Sequence, residues 1–340
     1  MKIAVDAMGG DRAPRDVVEG VVQAVLEYGT EAILVGDEPR IRAELDRICN
    51  GGKLDLISIQ HASQMIGMGE SPIVACRSKP DASVVVAARM VSEERAAAMV
   101  SVGNTGACMT AALLGLGRMR GVQRPAIGVP IPHPRGVTIL LDAGANVDCR
   151  PLHLAQFAVM GEVYAEQIWG IKRPRVGLLN VGEEEGKGGE TMQEAHLMLR
   201  DSGLNFIGNV EGRDIVNGRA DVVVCDGFVG NIVLKFAEGM IEALFEFVKN
   251  GYAKGGPLVK LGAMLSKPVF SYMKETLDPA GFGGAPLLGL KGTCIVGHGS
   301  SSPRAVKNAI GTAMRFISHR TNSQIGERLR ALGLSRVGHR

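Results

Sequence analysis

The sequence predicts an α/β fold with a mostly parallel sheet, and three observations carry that prediction. Short apolar runs rich in β-branched residues recur along the chain, with Ile3-Ala4-Val5, Ala32–Val35, Val137–Leu141 and Val222–Cys225 as examples. Runs of this kind suit strands buried on both faces of a parallel sheet. Most of them end in a glycine-rich polar loop, and the loop opens into a stretch with helical spacing. In open sheets of this class, ligands collect at the carboxyl ends of the strands.

Composition narrows the class. The chain has 340 residues, is 46% hydrophobic and contains 46 glycines. That length builds a large core as one catalytic domain over residues 1–340, either undivided or in two lobes. Aromatics are 4% and the formal net charge is +3, so there is neither a basic field nor a stacking platform for nucleic acid. The cysteines at 49, 76, 108, 149, 225 and 294 are scattered, with no CxxC and no metal-ligand spacing, which points to a reduced, cytoplasmic chain. The chain enters the strand Ile3-Ala4-Val5 directly, so no leader is expected, and no run of about 18 apolar residues is present to span a bilayer.

The first strand ends in Asp6-Ala7-Met8-Gly9-Gly10-Asp11, and Ala13-Pro14 opens a helix to about Glu27. The dinucleotide fingerprint Gly-x-Gly-x-x-Gly is missing there. Ala32–Val35 leads to a helix ending near Ile48, followed by a strand at Asp55–Ile59. Gly67–Pro80 reads as a loop with one helical turn, whose Ser78-Lys79-Pro80-Asp81 meets either phosphate or solvent. Ala97–Val102 runs into Gly103-Asn104-Thr105-Gly106 and a helix Ala107–Leu116. A glycine turn between strand and helix aims N–H groups at an anion, and Thr105 adds a hydroxyl. The same residues also make a plain turn and cap, and both readings stand.

Val137–Leu141 enters Asp142-Ala143-Gly144-Ala145-Asn146, before a helix His153–Trp169. Arg175–Val181 enters the loop Gly182–Glu190, where Lys187 is a cation between glycines on a segment able to fold over a ligand. Thr191-x-x-Glu194 reads as the capping box of the next helix. Val222–Cys225 ends at Asp226-Gly227, and helical spacing begins at Asn231, either a cap or a ligand. Gly283–Gly289 reads as an apolar loop suited to lining an acyl channel. Cys294–Val296 ends in Gly297-His298-Gly299-Ser300-Ser301, and Ser302-Pro303 starts a helix to about His319. His298 is a candidate acid or base. The Gly-x-Ser-x-Gly elbow of serine hydrolases is missing.

Taken in order, Asp6–Pro14, Ser101–Ala107, Leu141–Asn146, Leu178–Gly188, Phe206–Ile215, Asp221–Lys235, Gly283–Gly289 and His298–Ser301 resemble the bacterial phosphate acyltransferases. Each segment alone is weak, but eight at collinear spacing are specific. The resemblance implies a three-layer α/β/α fold similar to isopropylmalate dehydrogenases and phosphotransacetylases, in a homodimer. It implies transfer of a fatty acyl group from an acyl-carrier-protein thioester to inorganic phosphate, giving acyl phosphate, with no cofactor. Lys187 and Asn231 match positions implicated in the family's active site. Members are peripheral membrane proteins, and their product passes to a membrane glycerol-3-phosphate acyltransferase. Val102 stands where a smaller residue is expected, and Gly189 where an asparagine is usual.

That chemistry fits the residues. Phosphate near neutral pH is already an anionic nucleophile, so the site must chiefly hold it against a thioester carbonyl. Gly103, Asn104, Thr105, Gly106 and Lys187 are the phosphate candidates. Asn231 is the donor to the developing oxyanion, a role worth about 2.7–4 kcal/mol for comparable amides. His298 is a candidate proton donor to the departing thiolate. Asp6, Asp142, Asn146, Asp226 and Gly230 are expected around the substrate. No metal is expected, because acids near phosphate commonly orient lysines and turns.

The carrier protein of this family is acidic, and Arg328, Arg330 and Arg336 near the C-terminus are one candidate patch for it. Lys249–Asp278 has a different character. Gly255-Gly256-Pro257 and Pro268 divide it into two short amphipathic helices in a projecting hairpin. Leu258, Leu261 and Leu265 share one face, Val269 and Met273 another, and Lys249, Lys254, Lys260, Lys267 and Lys274 accompany them. An apolar face with lysines suits an anionic membrane surface, and also suits a dimer partner. Two other functions compete with acyl transfer. A metal-dependent β-decarboxylating dehydrogenase would need a nucleotide site and an Asp cluster on a helix, and neither is visible. A phosphate- or carrier-protein-binding scaffold would bind the same ligands without turnover.

Overall fold

The computed structural model describes residues 1–49 and 55–335. The first half of the chain runs β1 (Lys2–Asp6), α1 (Arg15–Tyr28), β2 (Glu31–Gly36), α2 (Glu38–Cys49), β3 (Ile57–His61), α3 (Pro72–Ser78), α4 (Ser83–Ser92), β4 (Ala98–Ser101), α5 (Thr105–Gly115), β5 (Ala126–His133), β6 (Gly136–Leu141) and α6 (Pro151–Trp169). The second half runs β7 (Val176–Leu179), α7 (Glu190–Arg200), β8 (Phe206–Val210), α8 (Gly212–Asn217), β9 (Val222–Val224), α9 (Gly227–Lys254), α10 (Pro257–Leu277), β10 (Ala285–Leu288), β11 (Thr293–Val296), α11 (Pro303–Ser318) and α12 (Thr321–Ala331).

All strands join one 11-stranded sheet in the order β3-β2-β1-β4-β11-β10-β5-β6-β9-β7-β8. β3, β2, β1, β4 and β11 form one parallel block, and β6, β9, β7 and β8 form another. Antiparallel pairing through β10 and β5 connects them. The inner strands are buried on both faces, as their uninterrupted apolar runs require, whereas the edge strands β3 and β8 are only partly buried. Ile3 and Val5 of β1 and Val222 and Val224 of β9 enter the large core beneath α1, α6 and α11. Ala4 and Val223 point the other way, towards α4 and α5 and towards α8 and α9 respectively. Helix–sheet–helix layering follows from that period of two.

Four local expectations need correction. Gly283–Gly289 is not an acyl-lined loop: Ala285–Leu288 is the strand β10, antiparallel to both neighbours, with Leu287 and Leu288 buried. Left-handed Gly283, Gly284 and Gly289 at its ends gave it the look of a loop. Thr191 does not cap α7; Gly189 holds the cap position, with no side-chain cap bond, and its carbonyl accepts from Met192 and Gln193 N–H. The Gly67–Pro80 region holds the two-turn helix α3, and Lys79 there is spent on Glu70 at 2.7 Å.

The fourth correction concerns the hairpin. It is made of α9 and α10, and Pro268 lies inside α10 without ending it. A proline in mid-helix loses one N–H bond and crowds the carbonyl four residues back. The residue at that place, Met264, is 74% exposed, so water is at hand for its carbonyl. Tyr252 meets Phe270 edge-on at 5.7 Å across the two helices. Beyond its first turn α9 buries no residue, and α10 buries none at all.

Candidate active site

The first cluster gathers at the carboxyl ends of β1, β4 and β11. Asp6 is buried and accepts from the Ser101 hydroxyl at 2.7 Å and from Met8 N–H at 3.3 Å. Burial pushes its carboxyl above the ordinary range, and these hydrogen bonds pull part of the way back. A Cβ on Gly9 would stand 2.6 Å from an Asp6 oxygen and 2.8 Å from Gly103 N, so the two glycine turns touch through bare backbone. Val102, larger than the family resemblance leads one to expect, fills space against Gly10 and Gly297.

Asn104 caps α5 by accepting from Ala107 N–H at 3.0 Å, and its amide donates to the Met68 carbonyl at 2.9 Å. Both ends of that side chain are therefore spent on the fold, pinning the 67–70 loop. Gly103 N–H donates to Ser101 at 3.3 Å. The donor groups of this turn with no hydrogen-bond partner among the described residues include the Asn104, Thr105 and Gly106 N–H groups and the exposed Thr105 hydroxyl.

A second cluster surrounds Asp142, at the end of β6. The carboxylate accepts from Ile127, Gly144, Ala145 and Asn146 N–H groups and from the Asn146 amide, at 2.7–3.3 Å. Burial pushes this carboxyl up, opposed by that ring of donors. The Asn146 amide also donates to the Pro125 carbonyl at 2.7 Å, and its backbone carbonyl accepts from Gly227 N–H at 2.7 Å. Asp226 is the cap of α9, accepting from Val229 N–H at 2.8 Å. Asp142, Asn146 and Asp226 thus spend polar atoms on holding the start of α9 against the 142–146 turn. Gly227 and Gly230 make that contact possible, since a Cβ on Gly227 would come within 2.7 Å of an Asp142 oxygen. Asn231, exposed and with no side-chain partner among the described residues, stands next to Gly144.

Lys187 rides on the loop after β7. The loop is braced more than its glycines suggest: Asn180 donates to the Lys187 carbonyl at 2.9 Å, Gln193 to Gly186, and Asn209 to Glu184. Glu183 pairs with Arg219 at 2.6 Å and Glu185 with Arg200 at 3.7 Å. The Lys187 ammonium itself is half exposed, with Glu184 no nearer than 4.0 Å. No hydrogen bond or ion pair joins it to either cluster among the described residues.

The two clusters approach each other through a polar pair. Lys235 of α9 lies 3.5 Å from the Nε2 of His298, which follows β11, and 2.8 Å from Glu238.

The family model described as "Fatty acid synthesis protein" matches residues 1–324. A phosphate acyltransferase of Pelotomaculum thermopropionicum is 50% identical over 338 residues, 99% of this chain and 98% of the relative. One of Elusimicrobium minutum is 50% identical over 319 residues, 93% of this chain and 92% of the relative. This chain belongs to the phosphate acyltransferase family. A phosphotransacetylase of Streptococcus pyogenes shares its fold, with TM-score 0.63 and 18% identity over 95% of this chain and 94% of that one.

In this acyltransferase, the residues singled out in the sequence differ in what their polar atoms meet. Asp6, Asn104, Asp142 and Asn146 lie at the strand ends, with polar atoms engaged by neighbouring backbone groups and, for Asp6 and Asp142, by the side chains of Ser101 and Asn146. Gly103 and Gly230 act as points of close approach. Thr105, Gly106, Lys187 and Asn231 keep free groups, whereas both ring nitrogens of His298 have neighbours, Lys235 at 3.5 Å and the Ser300 hydroxyl at 2.8 Å. Lys235 was missed; its signal is the four-residue spacing from Asn231, which puts both on one helix face. Among the arginines expected to meet the carrier protein, Arg328 holds buried Glu162 with its guanidinium at 2.8 and 3.0 Å. Arg336 lies outside the described residues.

Proposed function

We propose that the protein transfers a fatty acyl group from the thioester of acyl carrier protein to inorganic phosphate, releasing an acyl phosphate for phospholipid synthesis. One observation carries this reading. The two blocks approach each other through Lys235 of α9 and His298 after β11, and the groups without partners on the surrounding strand-end loops are donors and cations. Such a site suits a nucleophile that arrives already charged. The Thr105 and Gly106 N–H groups at the start of α5, with Lys187, draw phosphate in. A phosphate oxygen attacks the carbonyl carbon, and the carbonyl electrons move to oxygen, where the Asn231 amide donates a hydrogen bond. Collapse breaks the C–S bond and releases the carrier thiolate.

The hairpin supports a membrane surface as the place of delivery, from which a membrane glycerol-3-phosphate acyltransferase takes the product. Leu258 is 83% exposed and Leu265 75%, with Leu261 and Val269 exposed beside them and Met273 half-buried. Lys249, Lys254, Lys260, Lys267 and Lys274 are all exposed. No described helix is long and apolar enough to cross a membrane. A second apolar stripe, Phe228, Ile232, Phe236, Met240, Leu244 and Phe247, runs the length of α9 and suits the partner of a homodimer.

The reaction is tested by following carrier-protein thiol release with and without phosphate, with hydroxylamine present to trap acyl phosphate. Phosphate-dependent thiol release with matching hydroxamate supports it. Thioester binding without either product makes the chain a binding scaffold.

A further inference from the structure

Lys235 and His298 come from opposite halves of the sheet and approach to 3.5 Å, so on the acyl-transfer reading their roles have to be assigned together. Lys235 follows Asn231 by four residues on α9, which places their Cβ atoms about 5–6 Å apart on one face. A group that touches the carbonyl oxygen through Asn231 therefore has the Lys235 ammonium as its neighbour along the helix. The ammonium is a donor only. At 3.5 Å it makes the His298 Nε2 an acceptor, with Glu238 accepting a second N–H at 2.8 Å. The imidazole proton then sits on Nδ1, facing the Ser300 hydroxyl at 2.8 Å. Ser300 N–H also points at Nδ1 at 3.3 Å, a hydrogen bond that belongs to the other tautomer. His298 is left with no N–H to offer the cleft, whereas Lys235, half exposed, keeps one.

We propose that Lys235 is the catalytic group that serves the leaving sulfur, and that His298 is a positioning residue acting through it. As the C–S bond breaks, its electron pair goes to sulfur. The Lys235 ammonium stabilises the thiolate and passes it a proton, giving thiol and neutral amine, and solvent restores the ammonium. The proposal rests on the acyl-transfer reading above and replaces His298 as the expected proton donor.

The test compares two acyl donors in the parent, Lys235→Met, His298→Leu and the double variant, all with inorganic phosphate. One donor is the acyl-carrier-protein thioester, whose alkyl thiolate leaves poorly. The other is the acyl thioester of 4-nitrothiophenol, whose thiolate needs no proton. Lys235→Met should lower kcat about 100-fold or more with the carrier thioester and less than about 10-fold with the aryl thioester, the range of general acid catalysis. The double variant should be no slower than Lys235→Met alone, because His298 acts only through the missing ammonium. Equal losses with both donors would remove Lys235 from the leaving group. Multiplying losses in the double variant would make His298 an independent catalyst and overturn the assignment. A parent that fails with phosphate and both donors would instead sink the acyl-transfer reading itself. Lys235 is half exposed, so the variants should melt with the parent, and Lys235→Arg should recover part of the carrier-dependent rate.

Discussion

Gly230 stands so close to the Asp142 peptide that a Cβ there would come within 2.9 Å of the Asp142 carbonyl carbon and 3.0 Å of Cys225 Sγ. This contact sets where α9 begins, and with it the place of Asn231 and Lys235. Gly230→Ala should lower stability by about 1–3 kcal/mol through overpacking and should reduce turnover sharply. Gly239→Ala, on the same helix with nothing within 4 Å, should instead stabilise by about 0.5–1 kcal/mol. Urea unfolding of the pair checks this. Two variants that both stabilise would mean the start of α9 tolerates a side chain.

Asn231 and Lys187 should separate in kinetics. Asn231→Ala should cut kcat about 100-fold or more, with stability changed by less than about 0.5 kcal/mol because Asp226, not Asn231, caps the helix. Lys187→Met should act mainly on the KM for phosphate. Unchanged phosphate saturation in Lys187→Met would take that lysine out of the site.

Burial raises the Asp6 carboxyl above its ordinary value of 3.8. The folded chain then keeps a proton that the unfolded chain has released. Its contribution is full below 3.8 and is lost as pH rises through the folded value, with a slope of at most about 1.4 kcal/mol per pH unit. Stability curves of the parent and Asp6→Asn should therefore lie nearest each other at low pH and separate as pH rises, with the parent losing stability relative to the variant. Parallel pH dependence would show Asp6 ionised in both states.

How far the sequence could be read depended on the range of each interaction. β1, β9 and α11 announce themselves through local period and caps, and the structure places them within a few residues of expectation. β5 carries Pro130 and Pro132, and β10 is bracketed by left-handed glycines, so local signals argue against strands that only their neighbours secure. The roles of Asp142 and Asn104 are hidden for another reason. A strand-end acid looks the same whether its oxygens face a ligand or the backbone N–H groups of its own turn. The approach of Lys235 to His298 spans 63 positions and leaves no local mark.

Arg328 should prove structural. Arg328→Met leaves the buried Glu162 carboxylate without its guanidinium and should cost about 3 kcal/mol. Its KM for carrier protein should match the parent's at low salt. A raised KM in a folded variant would restore Arg328 to the docking surface.

On the hairpin, Leu261→Glu and Leu265→Glu should weaken reversible binding to vesicles of anionic phospholipid while soluble acyl transfer persists. Replacing the five exposed lysines should do the same, by about 1 kcal/mol for each lysine near the surface. Sedimentation with vesicles measures this. Monomers that still bind vesicles would assign this face to the dimer partner.

The central claim is the bond that forms, and phosphorus NMR observes it directly. Protein, acyl-carrier-protein thioester and inorganic phosphate should give a new acyl phosphate resonance that grows with thiol release and is suppressed about 100-fold by Asn231→Ala. Thioester consumed with the phosphate signal unchanged would contradict the account.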